Sequence, residues 1–203
     1  MDLQDVKVAG YEGAFEGYVY MQTLDPYGRT VDTYTWVDVP KDDTDPDSIA
    51  YYGWYDGENL IEGVTVTPGS GYWVGSDSTA YAIQSAGAVI ANGASIALGS
   101  KGCTMVANPL PVSVDLQDIA VGGYEGAFDG YVYMQTLDPY GRTVDTYTWV
   151  DVPKDETDPD SVAYYGWYDG ENLIKDVLVK PGQGLWTGSD STAYSIVYPD
   201  LAL

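Results

Sequence analysis

The sequence predicts an all-β chain of two tandem antiparallel β-sandwich or jelly-roll-like domains, and three observations carry that prediction. Residues 2–81 recur at 115–194 with 13 differences over 80 positions and no gap. A repeat this long marks paired domains, since helical and propeller units are shorter. Twenty Tyr and six Trp stand among many Val and Thr, punctuated by 24 Gly and 11 Pro, which is a strand-and-turn composition. No window holds an apolar pattern of 3.6-residue period, so helix is expected only as a single turn near Leu116 to Ile119. The expected boundaries are 1–85 and 101–203, with strands from 86–100 available to complete the first domain.

Taken in order, residues 18–24 and 31–39 alternate in polarity and read as half-buried strands. Between them stands Asp25-Pro26-Tyr27-Gly28, where Pro26 presets φ for a type I turn and Gly28 supplies the left-handed residue that re-pairs the strands. Val31, Thr33, Thr35, Val37 and Val39 share one face; Asp32, Tyr34, Trp36 and Asp38 share the other. One face is aliphatic and the other aromatic with acidic ends. Lys41 to Ser48 reads as an exposed acidic loop with an Asp-Pro turn. Tyr51 to Tyr55 then enters Asp56-Gly57, a type I′ signal, and leaves through Glu58 to Ile61. Val64 to Val66, Tyr72 to Val74 and Ala80 to Ile83 supply short strands around the turn Pro68-Gly69-Ser70-Gly71. The second copy repeats the turns at Asp138 to Gly141, Asp169-Gly170 and Pro181 to Gly184.

Differences between the copies sort by environment. Val6 to Ile119 and Ile49 to Val162 conserve volume and apolarity, as core positions require. Glu62 to Lys175, Gly63 to Asp176, Thr67 to Lys180 and Val74 to Thr187 cluster in one stretch and change charge or polarity. That stretch is expected to face solvent or unlike neighbours. Residues 86–113 occur once and contain strands at Ala88 to Ile90, Ser95 to Leu98 and Thr104 to Ala107. Two domains therefore share one set of these strands. Either Val89 to Leu98 closes the first copy, or the tail Ile196 to Leu203 of another subunit fills an open sheet edge.

Met105-Val106-Ala107-Asn108-Pro109-Leu110-Pro111, then Val114-Asp115-Leu116 and later Lys180-Pro181-Gly182-Gln183-Gly184-Leu185-Trp186, resemble modules of secreted bacterial cell-surface proteins. Those modules run from an Asn-Pro-x-Pro segment to a Pro-Gly-x-Gly-aromatic-aromatic strand and often occur in tandem. The resemblance spans about one second copy. The first copy has Pro68-Gly69-Ser70-Gly71-Tyr72-Trp73 but lacks the Asn-Pro segment. It implies a β-sandwich fold and an extracellular or cell-surface setting, and carries over no catalytic residue.

Charge and composition exclude several functions. Formal charge is −23, and the copies share it, with 15 acids against 3 bases in 2–81 and 15 against 4 in 115–194. A chain this acidic is repelled by nucleic acid and by anionic membranes. No stretch is long and apolar enough to span a bilayer, and no leader is recognisable, so a soluble form is expected. Histidine is absent and Cys103 is the single cysteine, lying in an apolar run as a buried thiol. That removes His-dependent triads, ordinary zinc sites and any disulfide framework. Gly10-Tyr11-Glu12-Gly13 lacks the helix and lysine of a phosphate loop, and no Asn-x-Ser/Thr sequon occurs. Asp32, Asp38 and Glu58 are nominal glycosidase carboxylates, but in so acidic a chain a pair carries little information. The chain is not expected to be an enzyme.

Two patterns remain. Alternate carboxylates at Asp43, Asp45 and Asp47, repeated as Glu156, Asp158 and Asp160, can converge on Ca²⁺, which takes six to eight oxygens. Trp54 stands where the closing Glu of an EF-hand belongs, so the loop is not one. A metal-independent Asp-Pro turn explains the same residues. Tyr34, Trp36, Tyr51, Trp54 and Tyr55 suit cross-strand core packing, an assembly interface or sugar stacking. Tyr34, Trp36 and Trp54, their repeats Tyr147, Trp149 and Trp167, and Ile196, Val197, Leu201 and Leu203 of the tail are the candidate assembly residues. These features lead to a structural, self-assembling extracellular protein, a filament, tube or surface-layer subunit whose partner is a copy of itself. A carbohydrate-binding or adhesive module with a polysaccharide partner is the alternative.

Overall fold

The computed structural model describes residues 1–10, 19–25, 27–42, 44–76, 81–85, 93–99, 102–123, 132–138, 140–155, 157–189 and 193–201. For 38–40, 42, 45–51, 151–153, 155 and 158–164 the description is of backbone alone. The architecture is all-β, built of antiparallel sheets, with single 3₁₀ turns at Leu3–Asp5 and Leu116–Asp118, the latter where the sequence predicts one. Two compact units are present: one holds 1–25, 29–67 and 72–88, and the other 26–28, 68–71 and 89–203.

The first unit contains β1 (Lys7–Ala9), β2 (Val19–Leu24), β3 (Thr30–Asp42), β4 (Asp45–Tyr55), β5 (Trp73–Ser76) and β6 (Ala82–Gln84). One sheet is ordered β4-β3-β2-β5, and β1 pairs with β6. The β2–β3 hairpin forms as predicted, with Gly28 at φ 77° and the Asp25 N–H donating to the Arg29 carbonyl at 2.8 Å. The Asp25 carboxylate accepts from the Arg29 backbone and guanidinium, which pins the turn from within.

Two expectations are corrected along this hairpin. The acidic segment 41–48 is no loop: β3 and β4 run through it, and Asp42 pairs with Asp45 beside a two-residue tip. The Asp56-Gly57 turn is not a two-residue type I′ turn. Tyr55 bridges Leu60 across the four residues 56–59, the Asp56 N–H donates to the Asn59 carbonyl at 3.1 Å, and Gly57 supplies φ 105°.

The second unit contains β7 (Ala94–Leu98), β8 (Gly102–Ala107), β9 (Val114–Asp115), β10 (Ala120–Gly122), β11 (Val132–Leu137), β12 (Thr143–Asp155), β13 (Asp158–Tyr168), β14 (Leu178–Val179), β15 (Gly184–Ser189) and β16 (Tyr194–Tyr198). Its large sheet is β13-β12-β11-β15-β8, faced by β10-β16-β7 and a β14-β9 pair. The expectation that 86–100 completes the first copy is corrected, because β7 pairs along its whole length with β16. The predicted strand Ala88 to Ile90 lies outside the described residues. The segments that carry the surface-module resemblance meet here: the Asn108 N–H donates to the Gln183 carbonyl at 3.2 Å, and the Gly182 N–H to the Asn108 carbonyl at 2.9 Å. The Asn108 side chain, 2% exposed, bonds the Val112 and Val179 carbonyls and accepts from the Leu110 N–H.

Each core is aromatic. Tyr34, Trp36 and Trp54 join Leu3, Val6, Val19 and Met21 in one unit, and Tyr147, Trp149 and Trp167 join Leu116, Ile119, Val132 and Met134 in the other. Trp36 meets Trp54 edge-on at 5.3 Å, as Trp149 meets Trp167 at 5.2 Å. Such pairs contribute about 0.5–1.5 kcal/mol beyond their burial. The aliphatic face of β3 turns outward instead, leaving Val31 61% exposed. On the outer face of the larger sheet, Tyr133 lies across Gly188 so closely that a Cβ there would strike its ring, and Tyr20 lies likewise over Gly75. Each glycine makes room for an aromatic cover.

A polar node ties each core to its 3₁₀ turn. The Gln4 amide donates to the Trp54 carbonyl at 2.8 Å and the Ile61 carbonyl at 2.9 Å while accepting from the Trp54 N–H, and the Trp54 indole donates to the Val6 carbonyl. Gln117 and Trp167 repeat the set against Ile174 and Ile119. Removing one partner leaves buried groups unsatisfied, at about 1–3 kcal/mol. Gln117→Ala is therefore expected to lower stability by about that amount in urea unfolding. Gln135→Ala, whose amide bonds the exposed hydroxyls of Thr146 and Thr143, should stay within about 0.5 kcal/mol of the parent. Equal effects would remove the node from its central place.

Candidate functional site

At the end of the first unit where β3 leaves the core, a cavity of about 640 Å³ opens beside Tyr34. Alternation along β3 puts Asp32 on the face of Tyr34, one step nearer solvent, while Val31 and Thr33 form the lip. The loop after β4 contributes Asp56, and the returning segment contributes Leu60, Ile61, Glu62 and Val64. Three carboxylates thus surround an apolar floor. Asp32 is held by the Thr23 hydroxyl at 3.0 Å. Tyr34 is 8% exposed, and its hydroxyl has no hydrogen-bond partner among the described residues. Burial pushes its phenol above the ordinary range, aided by the charges of Asp32, Tyr72 and Asp56.

The second unit carries the same strand and loop with a different charge. Position 62 becomes Lys175, position 63 becomes Asp176 and position 65 becomes Leu178. Lys175, Asp176 and Lys180 are exposed, and Leu178 is 58% exposed. Asp176 keeps the left-handed backbone of Gly63, at φ 60° against 73°, which Asp tolerates better than most residues. The Tyr147 phenol is likewise raised by burial first and then by Asp145 and Asp169. The solvent-facing expectation thus holds for this charged stretch. At Val74 to Thr187 the other expectation, unlike neighbours, is met. Thr187 is fully buried, donating to the Tyr133 carbonyl at 2.9 Å and lying 3.1 Å from the Tyr194 hydroxyl.

The sequence-derived candidates distribute as follows. Tyr34, Trp36, Trp54, Tyr147, Trp149 and Trp167 are core residues of their own units, at 0–8% exposure, which corrects their reading as an assembly surface; of the six, Tyr34 also lines the cavity. The same inward placement takes Tyr34, Trp36 and Trp54 away from a sugar-stacking surface. The tail is corrected as a donated strand: Ile196 and Val197 lie in β16 between β10 and β7, Ile196 is fully buried, and Leu201 packs on that core. Leu203 lies outside the described residues. Of the acidic repeat, Asp43 and Glu156 lie outside the described residues, as do the side chains of Asp45, Asp47, Asp158 and Asp160, whose backbones belong to β4 and β13. Among the described residues, no three acidic, thiol or imidazole side chains are grouped to hold a metal ion. Asp32 lines the cavity, exposed Glu58 does not, and the Asp38 side chain is outside the description. Cys103 is half-buried on β8, short of the burial expected.

Sequence reasoning missed the cavity because Asp32, Asp56 and Glu62 belong to three separate segments. The signal that could have found it was the charge reversal between Glu62 and Lys175. Comparisons with family models, curated proteins and solved structures returned no significant match.

The buried phenols set a pH dependence. A phenol raised in the folded state stabilises fully below its unfolded pKa of about 10, and that contribution is lost as pH rises through the folded value. Stability is therefore expected to fall above about pH 10. Asp32→Asn should bring the Tyr34 titration part of the way back, since burial remains; tyrosine-resolved NMR titration reads this. No movement of Tyr34 would show that the carboxylate does not act on it.

Proposed function

We propose that this chain is a structural, self-assembling protein of an extracellular or cell-surface setting, the subunit of a filament, tube or surface layer held by head-to-tail contacts. The observation that supports this most is the distribution of the 13 differences between the copies. The aromatic core positions Tyr34, Trp36 and Trp54 recur unchanged as Tyr147, Trp149 and Trp167, while the exposed stretch 62–67 recurs as 175–180 with altered charge. Two bodies that share an aromatic core and differ in charge along one exposed stretch suit a heterologous contact, in which one patch of a subunit meets a different patch of the next. The extracellular setting rests on the resemblance of 105–116 and 180–186 to secreted surface modules. Ca²⁺ reinforcement through the acidic hairpin tips near Asp43 and Glu156 belongs to the same proposal, since divalent ions bridge carboxylates between strongly acidic subunits.

Sedimentation velocity over a wide concentration range, with Ca²⁺ and then with chelator, checks the reading. Growth in mass with concentration is expected, with larger species in Ca²⁺. A monomer at every concentration in both conditions would refute self-assembly. Growth indifferent to chelator would remove the metal alone.

A further inference from the structure

The cavity beside Tyr34 and the 175–180 edge have complementary chemistry. On one side Asp32, Asp56, Glu62 and Tyr34 line the cavity, with no hydrogen bond to the Tyr34 hydroxyl among the described residues and Val31 61% exposed at the lip. On the other stand Lys175 and Lys180, two of only eight basic residues in the chain, flanking a Leu178 that is 58% exposed. We infer that the cavity of one subunit receives the Lys175 ammonium of a second copy, with Leu178 of that copy packing on Val31. The inference rests on the self-assembly reading above and names its contact.

Chemistry selects this occupant. An ammonium carries three N–H donors and no acceptor, which suits a cavity lined by the acceptors of Asp32, Asp56, Glu62 and Tyr34. A metal ion fits less well, since no three ligating side chains are grouped among the described residues. The second unit cannot act as the receptor in turn. Lys175 occupies the place of Glu62 there. Receptor and occupant therefore lie on different units. Repeated head to tail, such a contact generates chains of subunits. Opposite charges at the edge of a contact mainly raise association rate and specificity, and salt screens them.

The two copies supply the test variants. Lys175→Glu and Glu62→Lys each install a residue that the other copy already carries at that position, so both are expected to fold, with circular dichroism as the check. In sedimentation velocity at low salt, Lys175→Glu is expected to weaken association about tenfold or more by setting like charges together. Glu62→Lys should weaken it too, and the double variant E62K/K175E should recover association by restoring one opposite pair. Association of the parent should also weaken at high salt. Undiminished association of both single variants would overturn this contact while leaving self-assembly standing. Absence of association in the parent would overturn the contact and the reading beneath it together.

Discussion

The bond set around Trp54, and its repeat around Trp167, is the constraint on which each unit depends. The indole N–H reaches the Val6 carbonyl at 2.9 Å while Gln4 closes the backbone of the same residue, so one buried side chain fixes the 3₁₀ turn, β1 and the end of β4 together. Asp2 caps that turn through the Gln4 N–H and reaches the Gly63 N–H at 3.1 Å, extending the tie to the returning segment. A fully buried tryptophan demands its N–H be satisfied, and here the demand organises four segments distant in sequence. With Trp54 and Trp167 spent inside, the described residues present acids, threonines, scattered aliphatics and the turn tyrosines Tyr27 and Tyr140 to solvent. Any partner must be recognised by that surface.

Nearly identical sequences reach different surroundings because 93–107 occurs once. Ile196 is fully buried with β7 along its strand, whereas its counterpart Ile83 is 37% exposed on β6. Thr187 is buried with two polar partners where the first copy has half-buried Val74. Burial follows the neighbours that a strand meets, and the local pattern of the strand itself does not decide it. Unlike edges on like cores are the raw material of a directional contact.

Much of this was legible in the sequence and some was not, for physical reasons that differ by element. The hairpin at Asp25 to Gly28 was readable because Pro26 and Gly28 each permit few conformations. Alternation along β3 revealed two faces without saying which is inside, and the larger area of Tyr34 and Trp36 decided it. Asp56-Gly57 misled because a left-handed glycine serves a four-residue loop as well as a two-residue turn. The acidic run 41–48 looked like a loop because charge disfavours burial, yet backbone pairing of β3 with β4 runs through Asp42 and Asp45 whatever their side chains carry. Tail residue Ile196 looked available because no sequence pattern shows that β7 and β10 flank it. The cavity was hidden by its dispersal over three segments, and only the difference at position 62 hinted at it.

Electron microscopy of the purified full chain at rising concentration tests the central claim most directly. The proposed head-to-tail contact predicts open chains or filaments that lengthen with concentration, with a repeat of one subunit. Particles that stop at a closed two-fold dimer, or that remain single at every concentration, would contradict it.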